Sequence, residues 1–294
     1  MNQQQSGYAF ALVDMITYGL LPVVSHYFVT TIDPLVFSGS ACVIGSIPLL
    51  FLLKRQNKIN ELFSKIYFPN LFKMAILSTI GSILYFVGAK LTSGLNTGLL
   101  TQLEPFYAML LGILILKEII KKEQILATTL MVIGAGVVVY KGTSNLNIGD
   151  IFILFSPLAT QISHLFAKKV YADNSDSNTV PTARLLFTGI LLLLISLLIN
   201  PTAILQLLSF KTLLIVTFFG LIFRCLDFYL WYQAIARISV SRASAVIPVA
   251  VAVTFLSSIF IFKESISVYQ ISGLVLILGG LLWLSKISLA KINS

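Results

Sequence analysis

Charge is what this chain has least of. Lys, Arg, Asp and Glu together make up 11% of its 294 residues, where a soluble domain carries about 25%. With 57% apolar residues and a mean hydropathy of +0.94, it has too few polar side chains to cover a water-facing surface. Lipid is therefore its expected solvent. Cysteine is nearly absent as well: Cys42 and Cys225 are alone, lie in apolar runs and have no metal-ligand spacing, which excludes a disulfide framework and a thiolate metal centre. The two histidines, His26 and His164, fall in separate apolar segments without the spacing of a metal site. HExxH, GxSxG and Walker patterns are missing, and Gly149-Asp150 follows Asn147-Ile148, so the GxGD signature of intramembrane aspartyl proteases is missing too. No cofactor is implied. The net charge of +9 does not gather into a basic stripe interleaved with aromatics, so nucleic acid is not an expected partner.

What is present is a duplication. Residues 95–118 read LNTGLLTQLEPFYAMLLGILILKE and residues 239–264 read SVSRASAVIPVAVAVTFLSSIFIFKE. A shift of 146 places Lys117-Glu118 on Lys263-Glu264, Gln124 on Gln270 and Gly134 on Gly280. A duplicated apolar unit in a membrane chain is the mark of inverted-repeat transporters, whose sites lie near the midplane.

A spanning helix needs about 20 apolar residues. Apolar runs predict spans at 8–29, 34–53, 70–89, 95–116 and 124–140, then at 149–167, 181–199, 211–232, 240–262 and 268–286. The expected fold is an all-α integral membrane protein of ten transmembrane helices in two inverted five-helix repeats, residues 1–145 and 146–294. With the N-terminus inside, fourteen loop Lys and Arg residues fall on the cytoplasmic side, from Lys54 and Arg55 to Lys291, against Lys90, Lys141, Lys211 and Lys263 outside. The positive-inside rule then places both termini in the cytoplasm. MNQQQSGY lacks the basic start of a signal peptide, so the first helix is expected to be retained. The stretch 54–70 reads as an interfacial helix, with Ile59, Leu62, Phe63, Ile66 and Tyr67 at helical spacing among lysines; 200–211 reads similarly but more weakly. The composition points to a bacterial inner membrane.

The residues Glu104-Pro105, Leu111-Gly112 and Lys117-Glu118, with Pro248 and Lys263-Glu264, Asp33-Pro34 and Gly149-Asp150, resemble the EamA-type branch of the drug/metabolite transporter superfamily over essentially the whole chain. Two features depart from the pattern: Ser38 to Cys42 lacks the usual Arg, and Pro248 stands one turn earlier than Pro105. The resemblance implies a secondary transporter, often an exporter of amino acids, metabolites or drugs. It also implies a central cavity ringed by the first, third, fourth, sixth, eighth and ninth helices.

A charge at the bilayer centre costs about 2.5–3.5 kcal/mol on insertion scales, so each one needs a reason. Glu104 precedes Pro105, which frees the Thr101 carbonyl; with Gln102 it offers a carboxylate and amide to an amine or a proton, or else only caps a kink. Asp14, with Thr17 and Tyr18 nearby, either faces the cavity or ties two helices together. Arg224 and Asp227, three apart, share a helix face either as an internal ion pair or as a receiver for a substrate carboxylate. Arg184 is expected to snorkel to headgroups. Tyr85, Phe86, Phe106 and Tyr107 sit deep enough to line a cavity; Trp231, Tyr232 and Trp283 read as interfacial anchors. The expected solute-binding residues are thus Asp14, Tyr18, Tyr85, Gln102, Glu104, Arg224 and Asp227. Small-molecule solutes and membrane lipids are the expected partners, and no oligomeric state follows. The rival reading is a membrane-embedded enzyme acting on a lipid or small metabolite.

Overall fold

The computed structural model describes residues 3–115, 117, 120–140, 142, 146–173, 175–235, 237–238, 243 and 246–290. Within them every regular element is a helix. The order is α1 (Gln3–Val29), α2 (Pro34–Arg55), a 3-10 turn (Ile59–Phe63), α3 (Phe68–Leu91), α4 (Gly94–Thr101), α5 (Glu104–Leu114), α6 (Lys122–Tyr140), α7 (Ile148–Ala172) and α8 (Thr179–Ile199). A second 3-10 turn (Pro201–Leu208), α9 (Phe210–Gly220), a π segment (Leu221–Leu226), α10 (Asp227–Ile235), α11 (Ile247–Phe260) and α12 (Val268–Ala290) follow. Among the described residues nine helical stretches are long and apolar enough to cross a membrane, counting α4–α5 as one and Phe210–Trp231 as one. The described part of the expected ninth span is the shorter apolar α11, and Ser239 to Arg242 lie outside the described residues.

Local chemistry accounts for the breaks. Asp33 opens α2 by accepting the Leu35 and Val36 N–H groups at 2.9 and 3.1 Å, so the Asp-Pro pair supplies both the N-cap and a proline at N1. The fourth span is not continuous. It turns at Gln102-Leu103 and restarts with Pro105 in the first turn of α5, where proline loses nothing by lacking an N–H. The expected interfacial helix at 54–70 is instead a 3-10 turn followed by the start of α3: Leu62 is fully buried and Phe63 and Ile66 are exposed.

Two compact units interleave along the chain. The first comprises Met1–Tyr27, Gly88–Pro157 and Tyr229–Ser294; the second comprises Phe28–Val87 and Leu158–Phe228. Each draws on both halves of the sequence. In the first unit α6 packs on α12 with the backbones close. A Cβ on Gly134 would lie 2.9 Å from the Gly273 carbonyl oxygen, and one on Gly280 would lie 2.6 Å from that of Ala127. Gly273 and Gly280 are 146 residues beyond Ala127 and Gly134, so the same crossing is made twice with partners exchanged. A step of seven up one helix meets a step of seven down the other, so the pair is antiparallel. The Thr254 hydroxyl adds a bond across to the Gly19 carbonyl, 2.7 Å, joining α11 to α1.

In the second unit α2 packs on α8 through Gly39 and Gly189: a Cβ on Gly189 would lie 2.8 Å from the Gly39 carbonyl. Small residues permit this approach where lipid supplies no hydrophobic drive between helices. Around it Phe37, Phe86 and Phe219 are fully buried and meet edge-on or tilted, at 4.6 to 6.3 Å between centroids.

Candidate solute-binding residues and the polar network

The seven candidate residues divide between the units. Asp14, Tyr18, Gln102 and Glu104 belong to the first; Tyr85, Arg224 and Asp227 belong to the second. Asp14 is buried on α1 and Tyr18 is half-buried one turn on. The Thr17 hydroxyl bonds the Asp14 backbone carbonyl at 2.8 Å, which spends the hydroxyl on its own helix. Gln102 is buried in the α4–α5 turn, and Glu104 is the first residue of α5. There its carboxylate sits at a helix N-terminus, where the dipole favours negative charge. The Thr101 hydroxyl bonds back to Thr97 and Gly98.

Arg224 lies in the π segment, whose closing bond runs from Asp227 N–H to the Ile222 carbonyl, five residues back. A π turn is wider than an α turn and is frequent at functional sites. The wider turn changes the angular relation of Arg224 to Asp227 from that of a regular α-helix. The guanidinium carbon stands 5.1 Å over the Phe86 ring and 5.8 Å over that of Phe219. Among the described residues its buried Nε has no hydrogen-bond acceptor. Tyr85 joins the same cluster, edge-on to Phe86 at 5.0 Å. Phe86, expected to line a cavity, is therefore a buried member of the arginine's aromatic support.

Other expectations resolve into structural roles. Tyr107 is buried, and its hydroxyl donates to the Leu154 carbonyl at 3.0 Å. Arg184 donates to His164 Nε2 at 2.7 Å. A guanidinium is only a donor, so the imidazole proton resides on Nδ1, which faces Gln161 Oε1 at 3.4 Å. His26 Nδ1 meets the Ala89 carbonyl at 2.6 Å. Trp231 packs against Ala11, Ala234 and Ile238; the Tyr232 side chain lies outside the described residues. Among those residues no group of three or more His, Cys, Asp or Glu is arranged to hold a metal ion.

The sequence reading missed the principal polar network of the first unit. Glu264 accepts the Gly94 and Leu95 N–H groups at 2.8 and 3.0 Å, capping α4 from 169 residues away or more. Beside it Gln270 Nε2 donates to Asn96 Oδ1 at 2.7 Å, and Asn96 Nδ2 donates to Asp150 Oδ1 at 2.8 Å. The Thr92 hydroxyl donates to the same carboxylate oxygen. The signal in the sequence was the recurrence of Lys-Glu and Gln at an interval of 146, which marks the positions without naming their partners. Gln124 and Gln270 each accept the N–H three residues before them, at 3.1 and 2.9 Å. Glu118 lies outside the described residues.

The chain matches the EamA-like transporter family twice, over residues 5–140 and 147–286. It is similar to the uncharacterized transporter YetK of Bacillus subtilis, with 25% identity over 96% of this chain and 87% of that protein. The uncharacterized transporter YyaM of the same organism is 25% identical over 73% of this chain and 72% of its own length. An uncharacterized transporter of Methanothermobacter thermautotrophicus is 23% identical over 93% and 84%. A solved crystal structure superposes with a TM-score of 0.68 at 15% identity, covering 99% of this chain and all of the other, a likeness of fold.

Proposed function

The chain belongs to the EamA-like transporter family of the drug/metabolite transporter superfamily, and from that premise we propose that it is a secondary exporter of small organic solutes bearing a carboxylate, such as amino acids or related metabolites. It is an integral multi-pass membrane protein, and the family and its relatives' names indicate transport rather than catalysis. The proposal adds ten spans in two inverted five-helix repeats, residues 1–145 and 146–294, working by alternating access with both termini in the cytoplasm of a bacterium.

The observation that carries the substrate class is Arg224. A guanidinium in a membrane span, supported on its faces by Phe86 and Phe219 and with a buried Nε lacking an acceptor, is suited to take a carboxylate edge-on, because its donors lie in its plane. The proposal also takes Asp14 and Glu104, of the first unit, as candidates for an amine or a coupling proton. Gln102, Tyr18, Tyr85 and Asp227 complete the proposed solute-binding set.

The test is uptake of labelled amino acids, amines and carboxylic acids into proteoliposomes, with and without a pH gradient. Saturable transport of carboxylate-bearing solutes that Arg224→Ala abolishes and Arg224→Lys weakens, with thermal unfolding unchanged, supports the reading. Transport confined to solutes without a carboxylate overturns it.

A further inference from the structure

A guanidinium that donates to an imidazole makes a conditional contact. In the second unit Arg184 Nη1 stands 2.7 Å from His164 Nε2, and His164 Nδ1 faces Gln161 Oε1 at 3.4 Å. Guanidinium nitrogens only donate, and a protonated imidazole donates from both of its ring nitrogens. The contact therefore exists only while His164 is neutral, because two cations at this separation repel. Arg184 and a proton cannot both occupy Nε2. The pair also lies within reach of water. His164 stands eight residues before Ala172, the end of α7, and Arg184 five residues after Thr179, the start of α8. These positions are about 12 and 8 Å along their helices from the α7–α8 connection. His164 and Lys168, one turn apart, are exposed and share a face of α7 with Thr160, so a polar stripe leads from the connection to the ring.

The charged groups on the elements around the pair are mostly basic. Lys73, from α3, and Lys169 stand 5.9 and 5.4 Å from the centroid of Phe166, two residues beyond His164. From α2 the Cys42 thiol lies within electrostatic reach of both Arg184 and Arg224. Of the acidic residues, Glu61 is held by Lys58, the Asp176 N–H and the Thr179 hydroxyl, and Asp176 accepts the Asn178 N–H at 2.8 Å. Asp173 follows the end of α7, and Asp227 opens α10. A carboxylate competes well for a guanidinium in such surroundings, since the bond is charge-assisted and two-pronged where that to a neutral imidazole is single. We infer that His164 and Arg184 form a proton switch: when an anion draws the guanidinium off Nε2, the imidazole takes a proton, so that anion and proton are bound together. Linkage makes the effect reciprocal, and a proton on His164 equally favours the anion on Arg184. That the anion is the solute's carboxylate rests on the proposed function; the switch itself does not.

Nitrogen-15 NMR of the full chain labelled at its two histidines tests the switch without a ligand, because removing the arginine mimics its withdrawal. At pH 6 the wild-type His164 is expected to show the neutral Nδ1–H tautomer. In Arg184→Met, and again in Arg184→Gln, its resonances shift to those of imidazolium between pH 5 and 7, where a free imidazole titrates, while those of His26 are unmoved. A His164 that stays neutral down to pH 5 in both variants overturns the switch, as does one already protonated at pH 6 in the wild type. The link to transport is read in proteoliposomes with an internal pH dye. His164→Gln, whose amide oxygen stands in for Nε2 but takes no proton, is expected to carry carboxylates without accompanying protons. Proton movement equal to wild type in that variant overturns the link. Absence of carboxylate transport beside the expected NMR shifts overturns the proposed function and leaves the switch in place.

Discussion

Lys117 and Lys263, 146 residues apart in sequence, both stand at φ 53°. The two Lys-Glu pairs thus end their spans with the same left-handed residue. A side chain with a Cβ holds that conformation at a cost of roughly 1–2 kcal/mol, which the surrounding contacts must offset. At Lys263 the reason is visible: the following residue, Glu264, is turned back onto the N-terminus of α4.

Lys263→Gly is expected to retain the fold and raise stability by up to about 1 kcal/mol, since glycine enters this region without steric cost. Lys263→Val, β-branched, is expected to lower it by a similar or larger amount. Thermal unfolding in detergent reads both; a stable valine variant contradicts the assigned conformation.

Glu264→Ala removes two charge-assisted bonds to the α4 N-terminus and is expected to cost about 1–3 kcal/mol. Glu264→Gln keeps one acceptor oxygen and falls between. Hydrogen exchange at the Gly94 and Leu95 amides is the local check: both exchange faster in the alanine variant, whereas unchanged protection contradicts the cap.

Gln270→Leu leaves Asn96 Oδ1 buried without its donor, a loss of about 1–3 kcal/mol. Combining it with Asn96→Leu tests coupling. The double variant is expected to lose less than the sum of the singles, because the two residues share one bond. Strict additivity places the energy elsewhere.

Glu61 lies outside the spans. Partial burial pushes its carboxyl up, but the Asp176 N–H, the Thr179 hydroxyl and Lys58 outweigh it and hold the pKa below the ordinary 4.5. A carboxyl depressed in the folded state contributes stability that is present above its unfolded pKa and lost as pH falls through the folded one. Acid titration of the native chain below about pH 4.5 is therefore expected to loosen the α2–α3 connection. Glu61→Gln should be insensitive across that window and less stable at pH 7. An identical acid profile in both proteins refutes this role.

Glu104→Gln probes proton coupling. If Glu104 carries the proton, the variant loses pH-driven accumulation of solute while keeping exchange. Unchanged pH dependence in proteoliposomes assigns the carboxylate to the α5 N-terminus alone, where its replacement costs about 1 kcal/mol or less.

The composition determined that this protein lives in lipid, because hydropathy is a sum over residues and needs no partner. The break in the fourth span was legible from a local cause: Pro105 lacks the N–H that a helix interior needs, and α5 restarts around it. The interval of 146 was legible as well, and it reappears in the crossings of Gly134 with Gly273 and Ala127 with Gly280. Tertiary structure alone decided which partner each polar group meets. Glu264 finds Gly94, and Gln270 finds Asn96, because packing brings residues from both halves into one unit, and no periodicity encodes a contact across 170 residues. The π turn at Arg224 was equally hidden, since LIFRCL contains neither glycine nor proline. Its i→i+5 bond is held by the packed context, where Gly45 and Gly220 bring α2 against α9 and Phe86 and Phe219 take the guanidinium.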